Sequence, residues 1–197
     1  MGSQECYLLN TYSASNSYYM RTLVCIVITF VGFSCPAFSQ SSDKFIWKDF
    51  KINNYQIEIP SNWVVQSSKT NSTLFQIFAP RETSNDFYQE NLTLVVHDVS
   101  QLSVDLDMYA EMLLQEYKKR LNAVSLIQNK RVNSGDLDYQ YLRYIGKDGH
   151  TQILLDQYVW LNKGEALILT FSSEASKHYA YKFIGKKMLN SFSFIAD

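Results

Sequence analysis

The chain has 197 residues, with 18 Lys and Arg against 19 Asp and Glu, and 46% of it is hydrophobic. Such balanced charge excludes the electrostatic footprint of a nucleic-acid or anionic-membrane binder, and seven glycines and three prolines are too few for a disordered or linker-rich chain. A single packed domain remains, with 14 Tyr and 12 Phe to fill its core.

Residues 1–19 are polar and carry no Lys or Arg, whereas Met20-Arg21 leads directly into the apolar run Leu23 to Val31. That order is the n-region and h-region of a secretory signal peptide. Met20 is therefore expected to be the true start, with 1–19 an extension. Ala37 and Ser39 stand at the minus 3 and minus 1 positions of a cleavage site, leaving Gln40 as the mature N-terminus. The apolar run is broken by Gly32, Ser34 and Pro36 and falls short of the roughly 20 residues of a spanning helix, so no membrane span is expected after cleavage. A lipid anchor on Cys35 competes with this reading, but Gly32 and Phe33 fit a lipoprotein signal poorly. The exported part, 40–197, lacks cysteine, which excludes disulfides, thiol catalysis and Cys-based zinc sites in it.

Phe45 to Ile52 reads as a first strand, and Asn53-Asn54 as a tight turn, since Asn tolerates positive φ. Tyr55, Ile57 and Ile59 alternate with Gln56 and Glu58, the period of a strand with one apolar face. Pro60 lacks a backbone donor and should end that ladder. Ser61-Asn62 then turns the chain and Trp63 re-enters the core. Leu74 to Phe78 and Leu92 to Val99 follow as strands, separated by the polar loop Arg81 to Glu90. A helix is predicted from about Val104 to Leu121, capped by Ser103 or Asp105, with Lys118-Lys119-Arg120 matching its negative end. Its inner stripe is Leu106, Tyr109, Ala110, Leu113, Tyr117 and Leu121.

Beyond the helix, Val124 to Val132, Leu137 to Ile145, Gln152 to Leu161 and Ala166 to Phe171 form a meander. Each connector carries Gly beside Asn, Asp, Ser or Lys, so consecutive strands should neighbour one another. Ser172 or Ser173 is expected to cap a last helix reaching about Phe192, with Tyr181, Ile184, Met188 and Phe192 inward. The order of elements predicts an α+β domain with a mainly antiparallel sheet. Apolar residues of both parities in Thr151 to Leu161 predict cover on both faces.

The opening strand-Pro-x-x-Trp (Tyr55 to Trp63), the single mid-chain helix, the hairpin series and the closing Met188-Leu189-Asn190-Ser191-Phe192-Ser193-Phe194 together resemble the Mog1/PsbP-like superfamily, including bacterial PsbP-like and DcrB-like exported proteins. The resemblance runs from about Phe45 to Phe194. It implies an α/β/α sandwich used mostly for docking to other proteins rather than for chemistry.

Chemistry is sparse in the residues themselves. His97, His150 and His178 fall in no catalytic or metal pattern, and there is no H-E-x-x-H, G-x-S-x-G or phosphate loop. No cofactor, metal or catalytic residue is therefore assigned. His150 and Asp156 share a strand face but stand about 20 Å apart at six residues' separation, and Asp136 and Asp138 flank a turn. Tyr158 and Trp160 are the candidate interaction surface, because aromatics with polar tips are favoured at interfaces, and packing beneath the C-terminal helix is the competing reading that the residues favour. The expectation is an exported, monomeric, non-enzymatic module, periplasmic or extracellular, whose partner is an envelope or secreted protein. Two alternatives compete with it. One is a cofactor-free hydrolase built from His97, Asp98 and the Arg81 to Glu90 loop, and the other is a carrier of a small apolar ligand between sheet and helix.

Overall fold

A computed structural model describes residues 45–67, 72–134 and 137–195. The segment expected to be a signal peptide, with Met20, Cys35, Ser39 and Gln40, lies outside the described residues, as does Asp136. Strands β1 (Trp47–Ile52) and β2 (Tyr55–Pro60) pair through a turn with Asn53 at φ 50°. The ladder stops at Pro60, opposite Trp47, as the missing N–H requires. Trp63 N–H donates to the Pro60 carbonyl at 3.0 Å, which turns the indole into the core at 3% exposure.

The chain continues through β3 (Val64–Ser67), β4 (Thr73–Phe78), β5 (Asn91–Asp98), α1 (Leu106–Arg120), β6 (Asn122–Ser134), β7 (Leu137–Asp148), β8 (Thr151–Asn162), β9 (Glu165–Glu174), α2 (His178–Ser191) and β10 (Ser193–Phe194). Seven strands form one sheet in the order β3-β4-β5-β9-β8-β7-β6, every neighbouring pair antiparallel. β1, β2 and β10 make a second, three-stranded sheet. The predicted meander is present as the run β6-β7-β8-β9. β3 and β10 were not legible from local pattern: one is four residues long, and the other exists through pairing with Tyr55 and Gln56 far away in sequence.

Both faces of the large sheet are covered. On one, α2 and the small sheet bury Leu92, Leu94, Trp160, Leu167, Leu169 and Phe171 against Ile57, Ile59, Trp63 and Met188. On the other, Leu106, Tyr109, Ala110 and Leu113 of α1 pack on Leu142, Tyr144, Leu155, Val159 and Ile168. This is an α+β fold with a helix on each side of a mainly antiparallel sheet. Among the described residues, no helix is long and apolar enough to cross a membrane.

The two helices differ in how well their starts were read. Asp105 caps α1, accepting the Met108 N–H at 2.8 Å, an interaction that contributes about 1 kcal/mol. Leu114 joins the expected inner stripe. α2 begins at His178 rather than after Ser172 or Ser173, because both serines are buried in β9. Ser172 pairs with Asn91 on one side and Leu155 on the other, so sheet hydrogen bonds hold it extended. Gly185 lets α2 approach β9 closely: a Cβ there would lie 2.5 Å from Phe171 Cε1.

Candidate functional site

α2 lies over β9 and β8 and against β2, while α1 crosses the opposite face over β6, β7 and β8. On the α2 side the sheet therefore extends past its helix, and a groove of about 330 Å³ opens there. Antiparallel register builds its floor. Lys130 of β6 faces Tyr141 of β7, which faces Tyr158 of β8, and in the adjacent row Gln128 faces Arg143, which faces Asp156. Lys182, Lys186 and Leu189 of α2 form the wall.

Arg143 and Asp156 form a two-pronged pair, Nε to Oδ1 at 2.6 Å and Nη2 to Oδ2 at 2.9 Å. Tyr141 donates its hydroxyl to the same Oδ1 at 2.5 Å, so the carboxylate is fully engaged. Burial, followed by that carboxylate, raises the Tyr141 pKa and keeps the phenol protonated. Tyr158 donates to Asn190 Oδ1 at 2.8 Å and stacks on Tyr139 with ring centroids 4.5 Å apart. With Asp156 neutralised by Arg143, the remaining charge comes from Lys130, Lys182 and Lys186. None of these makes an ion pair among the described residues. The groove is thus cationic, lined by phenol rings and closed on one side by a helix.

A second, shallower hollow adjoins it. Lys186 borders both, and the second is lined by Phe183, Lys187 and Glu58. Lys187 bonds Glu58 at 3.0 Å and sits over the Trp47 ring at 4.0 Å, which ties α2 to the small sheet. Phe183 and Tyr179, one turn apart on α2, are 70% and 75% exposed.

The structure keeps one of the two predicted aromatic residues at this surface and removes the other. Tyr158 lines the groove. Trp160, its companion in the surface reading, is a correction to that reading and fits the competing one of packing beneath the last helix: it is 4% exposed and packs on Tyr139, Phe192 and Phe194. The end of α2 and β10 close over it, so it offers no contact area. Lys130, Tyr141, Arg143, Lys182 and Lys186 escaped the sequence reading. Tyr141 and Arg143 alternate on one strand and the two lysines stand one turn apart, but only strand register brings the sets together.

Residues of the hydrolase alternative do not converge. His97 bonds the Tyr109 hydroxyl at 2.6 Å beneath α1, and burial lowers its pKa while pushing that of Tyr109 up to about 12. Asp98 is exposed and accepts the Ser100 N–H at 2.9 Å. The Arg81 to Glu90 loop meets the opposite end of β5, about 20 Å away over six residues. There Asp86 holds Lys177 at 2.7 Å, with Glu82 at 3.1 Å from the same ammonium, which fastens the loop to the start of α2. His150 is exposed at the β7–β8 turn, away from the paired Asp156, and Asp138 is bound by Arg131. Arg120 and Lys119 pair with Glu116 at the solvated end of α1.

No family model matches the chain, and no curated protein matches it significantly. Among solved structures, the chain is similar to the cyanobacterial PsbP (CyanoP) of Synechocystis, at TM-score 0.56 and 15% identity, covering 75% of this chain and 92% of that one. A Pseudomonas aeruginosa protein of unknown function aligns at TM-score 0.54 and 14% identity over 77% of this chain and 99% of its own. LpqN, involved in cell envelope biogenesis of Mycobacterium tuberculosis, aligns at TM-score 0.52 and 9% identity over 78% and 92%. At such identities the likeness is one of architecture: this chain has a PsbP-like fold.

Proposed function

We propose that the chain is an exported, non-enzymatic docking module of the cell envelope, and that the groove between α2 and strands β6, β7 and β8 is its docking site. The observation that carries this reading is the concentration of cations there in a chain of net charge −1. Lys130, Lys182 and Lys186 surround a floor of tyrosines whose rings suit recognition. A binding rather than catalytic role is favoured by the state of the titratable groups. Arg143 and Asp156 neutralise each other, and His97 is occupied by Tyr109 under a helix. In the second pair burial pushes the Tyr109 pKa up to about 12, which keeps its hydroxyl protonated and a poor nucleophile. A carrier of an apolar ligand is disfavoured because the opening between sheet and helix is lined by charges and phenols. Export is supported by the Met20 to Ser39 segment, and an envelope setting accords with LpqN.

The test is affinity capture from the native envelope fraction with the wild-type chain and with a Lys182→Glu, Lys186→Glu double variant. A partner held by the wild type and lost by the variant is the expected result. Recovery of the same proteins by both overturns the assignment of the groove.

A further inference from the structure

We propose that the groove receives an extended, acidic protein segment, a refinement that rests on the docking reading above. Charge sets the sign of the occupant. With Asp156 committed to Arg143 and Tyr141, an incoming carboxylate meets Lys130, Lys182 and Lys186 and no free acid of the groove.

Shape selects among anionic partners. Arg143 lies on the floor with 27% of its side chain exposed, and the groove is bounded by a helix on one side. A bilayer surface would touch Lys182 and Lys186 on the wall and leave the floor unused. A single extended chain laid along the groove would meet floor and wall together. Its alternate side chains are about 7 Å apart, close to the roughly 5–6 Å between helix positions one turn apart. Alternating acids can therefore meet Lys182 and Lys186 together, while Lys130, Tyr141 and Tyr158 form a cross-strand row beneath.

The outward face of α2 adds to these lysines two exposed aromatics, a further sign of a protein partner. Tyr179, Lys182, Phe183 and Lys186 recur at i, i+3, i+4 and i+7, an amphipathic stripe on the exposed side of the helix. The inner face is already satisfied by Ile184, Met188 and Leu189. Exposed aromatics interleaved with lysines offer apolar contact and charge at once, which suits a segment that alternates acidic with apolar residues.

The experiment is fluorescence anisotropy with a labelled synthetic peptide alternating Glu and Tyr, alongside its counterpart with Gln in place of Glu. Phosphatidylglycerol vesicles and dextran sulfate serve as competing anionic probes. The Glu peptide is expected to bind, to weaken as salt is raised, and to lose about tenfold or more in affinity for the Lys182→Glu, Lys186→Glu variant. That variant should keep the wild-type melting temperature, since both lysines are exposed. The proposal is overturned if the Gln peptide binds equally, if the lysine variant binds as the wild type does, or if vesicles or dextran sulfate bind through these lysines while the peptide does not. Should peptide binding fail while envelope capture still depends on the two lysines, the docking site stands and the acidic segment falls. Should neither depend on them, both readings fall.

Discussion

Arg143 grips Asp156 across two neighbouring strands with both oxygens engaged, at 2.6 and 2.9 Å. The side chains are 27% and 9% exposed, so the pair is poorly screened and breaking it strands a desolvated carboxylate. Arg143→Met should cost about 3 kcal/mol, the lower end for a buried pair because Arg143 keeps some solvent. The double variant Arg143→Met, Asp156→Leu should recover much of that loss. Urea denaturation of the three proteins checks both statements, and a loss below about 1 kcal/mol in the single variant would show the pair to be solvent-screened.

Gly185→Ala separates propensity from packing. In an open helix the change would stabilise by about 1 kcal/mol. Here the new methyl would collide with the Phe171 ring, so the expected outcome is a net loss of about 1–3 kcal/mol. A raised melting temperature would mean that α2 stands farther from β9 than the structure places it.

Trp63 stacks on Phe171 at 6.4 Å and meets Tyr181 edge-on at 6.3 Å. Trp63→Ala should cost about 3–5 kcal/mol, and Trp160→Ala a similar amount, since both indoles are buried. Thermal unfolding is the measurement. An unchanged midpoint in either variant contradicts its core placement.

Glu90 and Asp86 respond to pH in opposite senses. Burial raises the Glu90 pKa above its ordinary 4.5, so its contribution is complete below that value and is lost as pH rises through the folded pKa. The hydrogen bond from Lys177 lowers the Asp86 pKa below its ordinary 3.8, so its contribution is present above that value and is lost as pH falls through the depressed pKa. Relative to wild type, Glu90→Gln should therefore gain stability between about pH 4 and neutrality. Asp86→Asn should be the weaker protein at neutral pH, with the difference closing in acid. Denaturation curves across that range would sink this account if the variants ran parallel to the wild type.

Local signals in the chain were informative where neighbours in sequence decide the outcome. Asp105 caps α1 because its side chain reaches an N–H three residues away. Asn53 takes the positive φ of the first turn, and Pro60 ends a ladder by what it lacks. Ser172 and Ser173 misled for a related reason. Serine favours helix starts when its surroundings are open, but here two flanking strands claim the backbone first. For Trp160 parity left two readings open, a surface and packing beneath the last helix, because it says which face a side chain takes and not what covers that face; the structure supports the second.

By itself the sequence determined the alternation, turns and caps that make an α+β domain with a meander of strands. Those depend on interactions spanning a few residues, which are written in the local order. Tertiary structure alone decided that β1 and β2 leave the main sheet to join β10, that Trp160 is buried, and that Lys130, Tyr141, Tyr158 and the lysines of α2 border one groove. Each of these follows from strand register and from where a helix stops covering a sheet. Both arise from packing between segments distant in sequence, for which no single stretch carries the signal.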